Sequence, residues 1–472
     1  TRWNSVLACT PSTACADKLV SDLAPRIFRR PLTSAEQTSY QALARGTTGG
    51  RTVTEGMTVA LATMLSAPQY LYRSEVGDLT SGTTYKLNGY EMATYLSYTF
   101  TGTTPNATLM TAAANGNLNT VAGVRQQAAT LLNSATTKVL LGQLVNRWLG
   151  TETLATQGKV GVANFATLAG DMQNELSKNF SAAMLESNST FTTLYNPTFT
   201  HVNQRLANHY GLAYSGTADA DGFVRVNTSD RGGILTSGAF MSRYARDNDA
   251  NLITRAVAVR RKMMCQDIPE PPAGTSLDRD ALGEAHAAFL AAPTTTERMA
   301  VAKITENQPC SNCHLEIINP LGGGMENFDA TGRVRTTDLR GNPINAQATF
   351  FSPYQKLQFA NDPNRVIYSP EITFNGAKDL ARIMVEQPLV SQQAKTCLAT
   401  QLVSFSSGVA TTFLIDRDAT REVPYNMSLA ERSAYRCNIE KLTNVLNTSG
   451  PRAMLQEIPA LDSVIYRQEW AR

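Results

Sequence analysis

Apolar residues recur at spacings of three and four over 52–65, 89–100, 121–133, 136–150, 168–186, 252–265, 378–386 and 394–407, and breakers bound each run. That period gathers the apolar side chains on one face of an α-helix, so the pattern predicts a mainly α protein. A further start signal lies in Pro31-Leu32-Thr33-Ser34-Ala35-Glu36. Thr33 and Glu36 have the spacing of a capping box, in which each side chain satisfies an orphan amide of the first turn. Thr/Asn/Gly-rich stretches at 101–118 and 215–222 read as loops. From 329 to 376 the pattern changes to short β-rich segments separated by turn residues, which predicts a small β-rich insertion in a multi-segment helical protein.

These shifts suggest an organisation along the chain. An N-terminal helical segment, 1–80, is followed by a large helical body, 81–265, and by a linker, 266–274, whose prolines hold the backbone extended. A segment with distinctive cysteines, 275–335, then precedes the β-rich part, 336–376, and a C-terminal helical segment, 377–472. With 472 residues, 42% of them hydrophobic, the chain can build real cores without metal staples. Charged residues make up only 17%, and Thr, Ser, Asn and Gln carry the surface instead, which suits a secreted protein. The net charge of +3 is spread without a basic run, so a nucleic-acid partner is not expected. The apolar runs fall short of the roughly 20 residues of a membrane span. No charged-then-apolar leader opens the chain, so either export is not used or the chain is a mature, processed form, and the cysteines favour the second.

Seven cysteines carry the chemistry. Cys310-Ser311-Asn312-Cys313-His314 has the form of a c-type haem attachment site. Two thiols at fixed separation match the two haem vinyl groups, and the adjacent His314 ligates the iron from the proximal side. Zinc is the rival, but it requires further ligands at comparable spacing, and the remaining histidines, His201, His209 and His286, are scattered. Elsewhere, Cys9 and Cys15 flank a Pro-containing turn that favours a disulfide, and Cys397 and Cys437 lie on successive helical patterns that a second bridge would staple. Cys265 is left as a buried small hydrophobe. Disulfides belong outside the cytosol.

The residues around the pentapeptide resemble a known family. Asn319-Pro320-Leu321-Gly322, then Glu326-Asn327-Phe328-Asp329 with Gly332 and Arg335, are similar to the haem region of the large exported bacterial proteins called planctomycete-type cytochromes c. The stretches 26–37, 65–75, 95–106, 146–150, 200–211, 231–240 and 397–408 resemble, in the same order, the consecutive domains of unknown function that build this family. The resemblance implies an exported protein with one covalently bound haem c. This chain departs from the family in having no His between Arg298 and Cys310, and in placing Met325 after three glycines.

Met325 is the candidate distal iron ligand, because the glycines allow positive φ and close approach to a flat cofactor; its rival role is packing against the macrocycle. His209 and His286 are the alternatives for a second axial histidine. Arg333 and Arg335 offer planar forks to haem propionates, or form a solvated strand face. Glu326 and Asp329 could anchor a propionate network or calcium, or act as turn caps. Trp148 reads as core. The expected function is electron transfer by an extracytoplasmic monohaem cytochrome serving a redox partner protein or a small-molecule donor or acceptor. The alternatives are a peroxidase or oxidase with an open iron site, and a surface assembly protein with accessory haem.

Overall fold

In the computed structural model, residues 2–266, 268, 279–350, 372–410 and 429–468 are described. The chain divides into two compact units, 1–137 with 456–472, and 138–455. Most of the linker 266–274 lies outside the described residues, as do 351–371 of the β-rich part.

The first unit is helical. Thr33 caps the helix Ser34–Ala44 with the reciprocal Glu36 bond that the sequence predicts, and Thr52 and Glu55 repeat the device at Val53–Ser66. These two helices pack around Leu19, Phe28, Met57 and Met64. Buried Arg29 donates to the carbonyls of Gln69 at 2.6 Å and Tyr72 at 2.7 Å, tying together two of the stretches that carry the family resemblance. The 101–118 region is not all loop: Asn106 accepts the Leu109 amide and starts a helix, Ala107–Ala114. A short Ala-rich helix needs only that cap and one buried face, a signal hidden among Thr and Asn. A three-stranded antiparallel sheet pairs Thr84–Lys86 with both Asp78–Ser81 and Tyr466–Gln468.

The second unit is built on the helix Phe165–Leu185, which buries Met172, Leu176 and Phe180. Trp148 is core, as its pattern predicts, and its indole donates to the Lys262 carbonyl at 2.7 Å. The helix Leu252–Ala258 runs into a π-helical turn, Val259–Met263. The helix Asn319–Gly323 packs against Leu252–Ala258. The β-rich part contributes a two-stranded antiparallel pair, Gln347–Phe350 with Ile372–Asn375.

Cys9 is bonded to Cys15. The expected Cys397–Cys437 bridge is replaced by Cys265–Cys397. Cys397 is buried on the helix Pro388–Ser407 and faces the end of the 259–263 turn, where Cys265 adopts a positive φ of 48°, while Cys437 is exposed. Helical spacing shows which face a cysteine occupies but not which distant segment lies across from it.

Candidate functional site

Cys310, Cys313 and His314 lie together on a short helical turn that continues into one π-helical turn, His314–Ile318. Both thiols are free and half-buried. Burial and the neighbouring Cys310 push the Cys313 thiol up. The His314 ring is half-buried, and burial lowers its pKa below the ordinary imidazole value, with the Asn319 hydrogen bond acting against it. Its Nδ1 lies 2.9 Å from Asn319 Oδ1, and no hydrogen bond to Nε2 occurs among the described residues. Leu315, the next residue, is 54% exposed and leaves an uncovered apolar surface beside the motif. Two free thiols at the attachment spacing, an imidazole with an available nitrogen and an uncovered apolar neighbour fit a covalent haem. Among the described residues no group of three or more His, Cys, Asp and Glu side chains has the arrangement of a metal site.

The segment behind the motif is fixed by buried arginines that bind backbone carbonyls. Arg255 donates to Met241, Met325, Phe328 and Asp329 carbonyls, the last three at 2.7 Å. Arg260 donates to the Ile317 carbonyl at 2.7 Å, and Arg231, stacked 3.5 Å over the Tyr210 ring, donates to the Gly332 carbonyl at 3.0 Å. All three side chains are fully buried. Sequence reasoning missed them, although a signal existed: Arg255 lies three residues after Leu252 and four before Val259, on the apolar face of its helix.

Met325 is fully buried. The glycines before it do not have positive φ. Their missing side chains admit protein instead: a Cβ would meet the Leu252 carbonyl at Gly322, the Arg298 guanidinium at Gly323 and the Phe374 ring at Gly324, all within 3 Å. His209 Nε2 is 2.9 Å from the Thr331 carbonyl, and His286 Nε2 is 2.9 Å from Glu297. Arg333 pairs with Asp329 at 2.9 Å and is exposed at the surface. Arg335 pairs with Asp249 at 2.6 Å and donates to the Glu326 carbonyl, and its buried Nη2 has no hydrogen-bond partner among the described residues.

Asp329 is the nucleus of a turn. Its Oδ1 accepts the amides of Thr331 and Arg333, its own amide donates to the Arg333 carbonyl, and Gly332 takes φ +74°. The same pattern recurs at Asp338, with Arg340, Gly341 and Asn342, and at Asp219, with Asp221, Gly222 and Phe223. The cap reading of Asp329 thus accounts for both the acid and the glycine three residues on. Glu326 is buried, with its pKa pushed up to about 7, first by burial and further by Glu297 and Asp249 against the opposing Arg335.

Comparison with known families gives three matches in chain order: residues 15–75 with Protein of unknown function (DUF1595), 87–212 with Protein of unknown function (DUF1592), and 231–338 with Protein of unknown function (DUF1588). The last contains the Cys310–His314 pentapeptide and the buried arginines Arg231, Arg255 and Arg260. Neither the curated proteins nor the solved structures give a match. These three domains, arranged consecutively, are the ones associated with planctomycete-type cytochromes c, and the chain matches that family.

Proposed function

We propose that the protein is an extracytoplasmic monohaem c-type cytochrome that transfers electrons. The observation that carries this reading is the pairing of two free, half-buried thiols with a His314 ring whose Nε2 is left available. Cys310 and Cys313 hold the haem, and His314 ligates its iron. A covalent haem supplies a one-electron couple. The protein's part is to keep the ligand ring oriented and the surrounding backbone still. Asn319 acts on the ring, and Arg255, Arg260 and Arg231 act on the backbone from Ile317 to Gly332. The redox partner, a protein or a small donor or acceptor, meets the haem edge. Two disulfides and the family's domains support a place outside the cytoplasm. Among the described residues no helix is long and apolar enough to cross a membrane.

The test is protein matured with a haem-attachment system. Wild type is expected to keep its chromophore through acid-acetone extraction and to cycle reversibly between two oxidation states. Cys310→Ala or Cys313→Ala is expected to weaken retention, and wild-type protein that loses all its colour on extraction would refute covalent attachment.

An enzyme with an open iron site is the second reading, favoured by the enclosure of Met325 and the engagement of His209 and His286. Rapid peroxide turnover from a high-spin resting state would select it. Met325→Leu is expected to leave the ferric spectrum and the potential nearly unchanged, because Gly322–Gly324 pack against protein. A spin-state change with a lowered potential would instead make Met325 an axial ligand.

A further inference from the structure

Behind the His314 ring stand three hydrogen bonds whose directions are forced. Thr305 Oγ1 donates its single proton to the Val301 carbonyl at 2.7 Å, so toward any other neighbour it acts as an acceptor. It accepts Asn319 Nδ2 at 2.8 Å. The Asn319 amide is thereby oriented with Oδ1 toward His314, and Oδ1 accepts Nδ1–H at 2.9 Å. The proton is on Nδ1, and Nε2 keeps its lone pair. This assignment of amide and tautomer follows from the donor count along the chain of bonds.

Backbone geometry makes the contact possible. On an α-helix, residues five apart lie about 140° around the axis, so Asn319 would face away from His314. The π-helical turn His314–Ile318 widens the helix at that point and brings the two side chains together. Thr305 is held in turn as the residue that closes the helix Glu297–Ile304.

The geometry points to Asn319 as a positioning residue for the axial histidine, with Thr305 as its anchor, together fixing the plane and basicity of the His314 ring. The inference rests on the haem reading above. A partner of this kind orients the ligand and strengthens its donation to the metal, and its loss typically changes metal affinity or activity 10- to 100-fold. A stronger acceptor behind the ring favours ferric iron, and a lost acceptor favours ferrous iron.

The experiment compares the holoprotein with Asn319→Asp, Asn319→Leu, Thr305→Val and Thr305→Ser, measuring covalent haem content and midpoint potential for each. Asn319→Asp is expected to lower the potential by about 59 mV, a tenfold shift toward the ferric form. Asn319→Leu is expected to raise it by a similar amount, and Thr305→Val by less. Thr305→Ser, which keeps the hydroxyl, is expected to match wild type. A purely structural role would reduce haem content or stability and leave the potential in place. Unchanged potentials in haem-loaded Asn319→Asp and Asn319→Leu overturn the inference, and wild-type protein that takes up no haem overturns the cytochrome reading and this inference with it.

Discussion

Arg255→Met is expected to destabilise the 138–455 unit by on the order of 4 kcal/mol and to loosen the backbone behind the Cys310–His314 motif. The guanidinium serves four carbonyls, those of Met241, Met325, Phe328 and Asp329, and the side chain is fully buried. Removing it leaves buried acceptors without donors, each costing about 1–3 kcal/mol before relaxation. The loss is offset by relief from burying a cation, a cost visible in the Arg255 pKa, which burial brings down to about 9. Arg255→Lys keeps the charge but replaces the planar fork with a single ammonium, so it should recover only part of the loss. Urea unfolding gives the free energy, and protease cleavage between 315 and 335 reports the loosening. Equal stability of Arg255→Met and wild type would show that the carbonyls find other donors.

Glu326 gives the second large effect, one that depends on pH. Its ordinary pKa near 4.5 is pushed up to about 7 in the folded protein, mainly by burial, with Glu297 and Asp249 acting in the same direction and Arg335 and Arg298 against it. An acid with a raised folded pKa binds its proton more tightly folded than unfolded. Its contribution is therefore fully favourable below about pH 4.5, declines as pH rises to about 7, and stays level above that. The difference corresponds to about 3 kcal/mol. Glu326→Gln is expected to remove this slope, matching wild type near pH 4 and exceeding it by about 3 kcal/mol at pH 8. Chemical denaturation at several pH values measures it, and parallel slopes for the two proteins would show that Glu326 ionises freely.

Much of the scaffold was legible in the sequence because local rules decide it. The box at Thr33 and Glu36 and the apolar faces of Val53–Ser66, Gly89–Thr101 and Phe165–Leu185 involve residues within a few positions of one another. The pentapeptide at 310–314 is equally local. The parts that were misread depend on distant segments. Cys397 finds Cys265 across 132 residues, and Arg255 binds carbonyls 70 to 74 residues away. Composition also concealed two features. Ala107–Ala114 is helical inside a stretch rich in Thr and Asn, and the Gly322–Gly324 run, read as room for a cofactor, is room for Leu252, Arg298 and Phe374. Arg333 and Arg335 were seen as possible propionate forks, but their pairing with Asp329 and Asp249 was not.

The Cys265–Cys397 bond closes a covalent ring that contains the whole Cys310–His314 motif, the Pro-rich linker and the β-rich part. One cut of the backbone anywhere inside that ring does not free either fragment. A molecule nicked there keeps its two fragments joined through that one S–S bond, and if the haem is covalently bound, the coloured fragment stays attached to the rest. Only reduction would separate it, so a nicked population would run as intact on a non-reducing gel and split once thiol is added. In an oxidising compartment, where reductants are scarce, the ring turns a single cleavage from a loss of the segment into a scar.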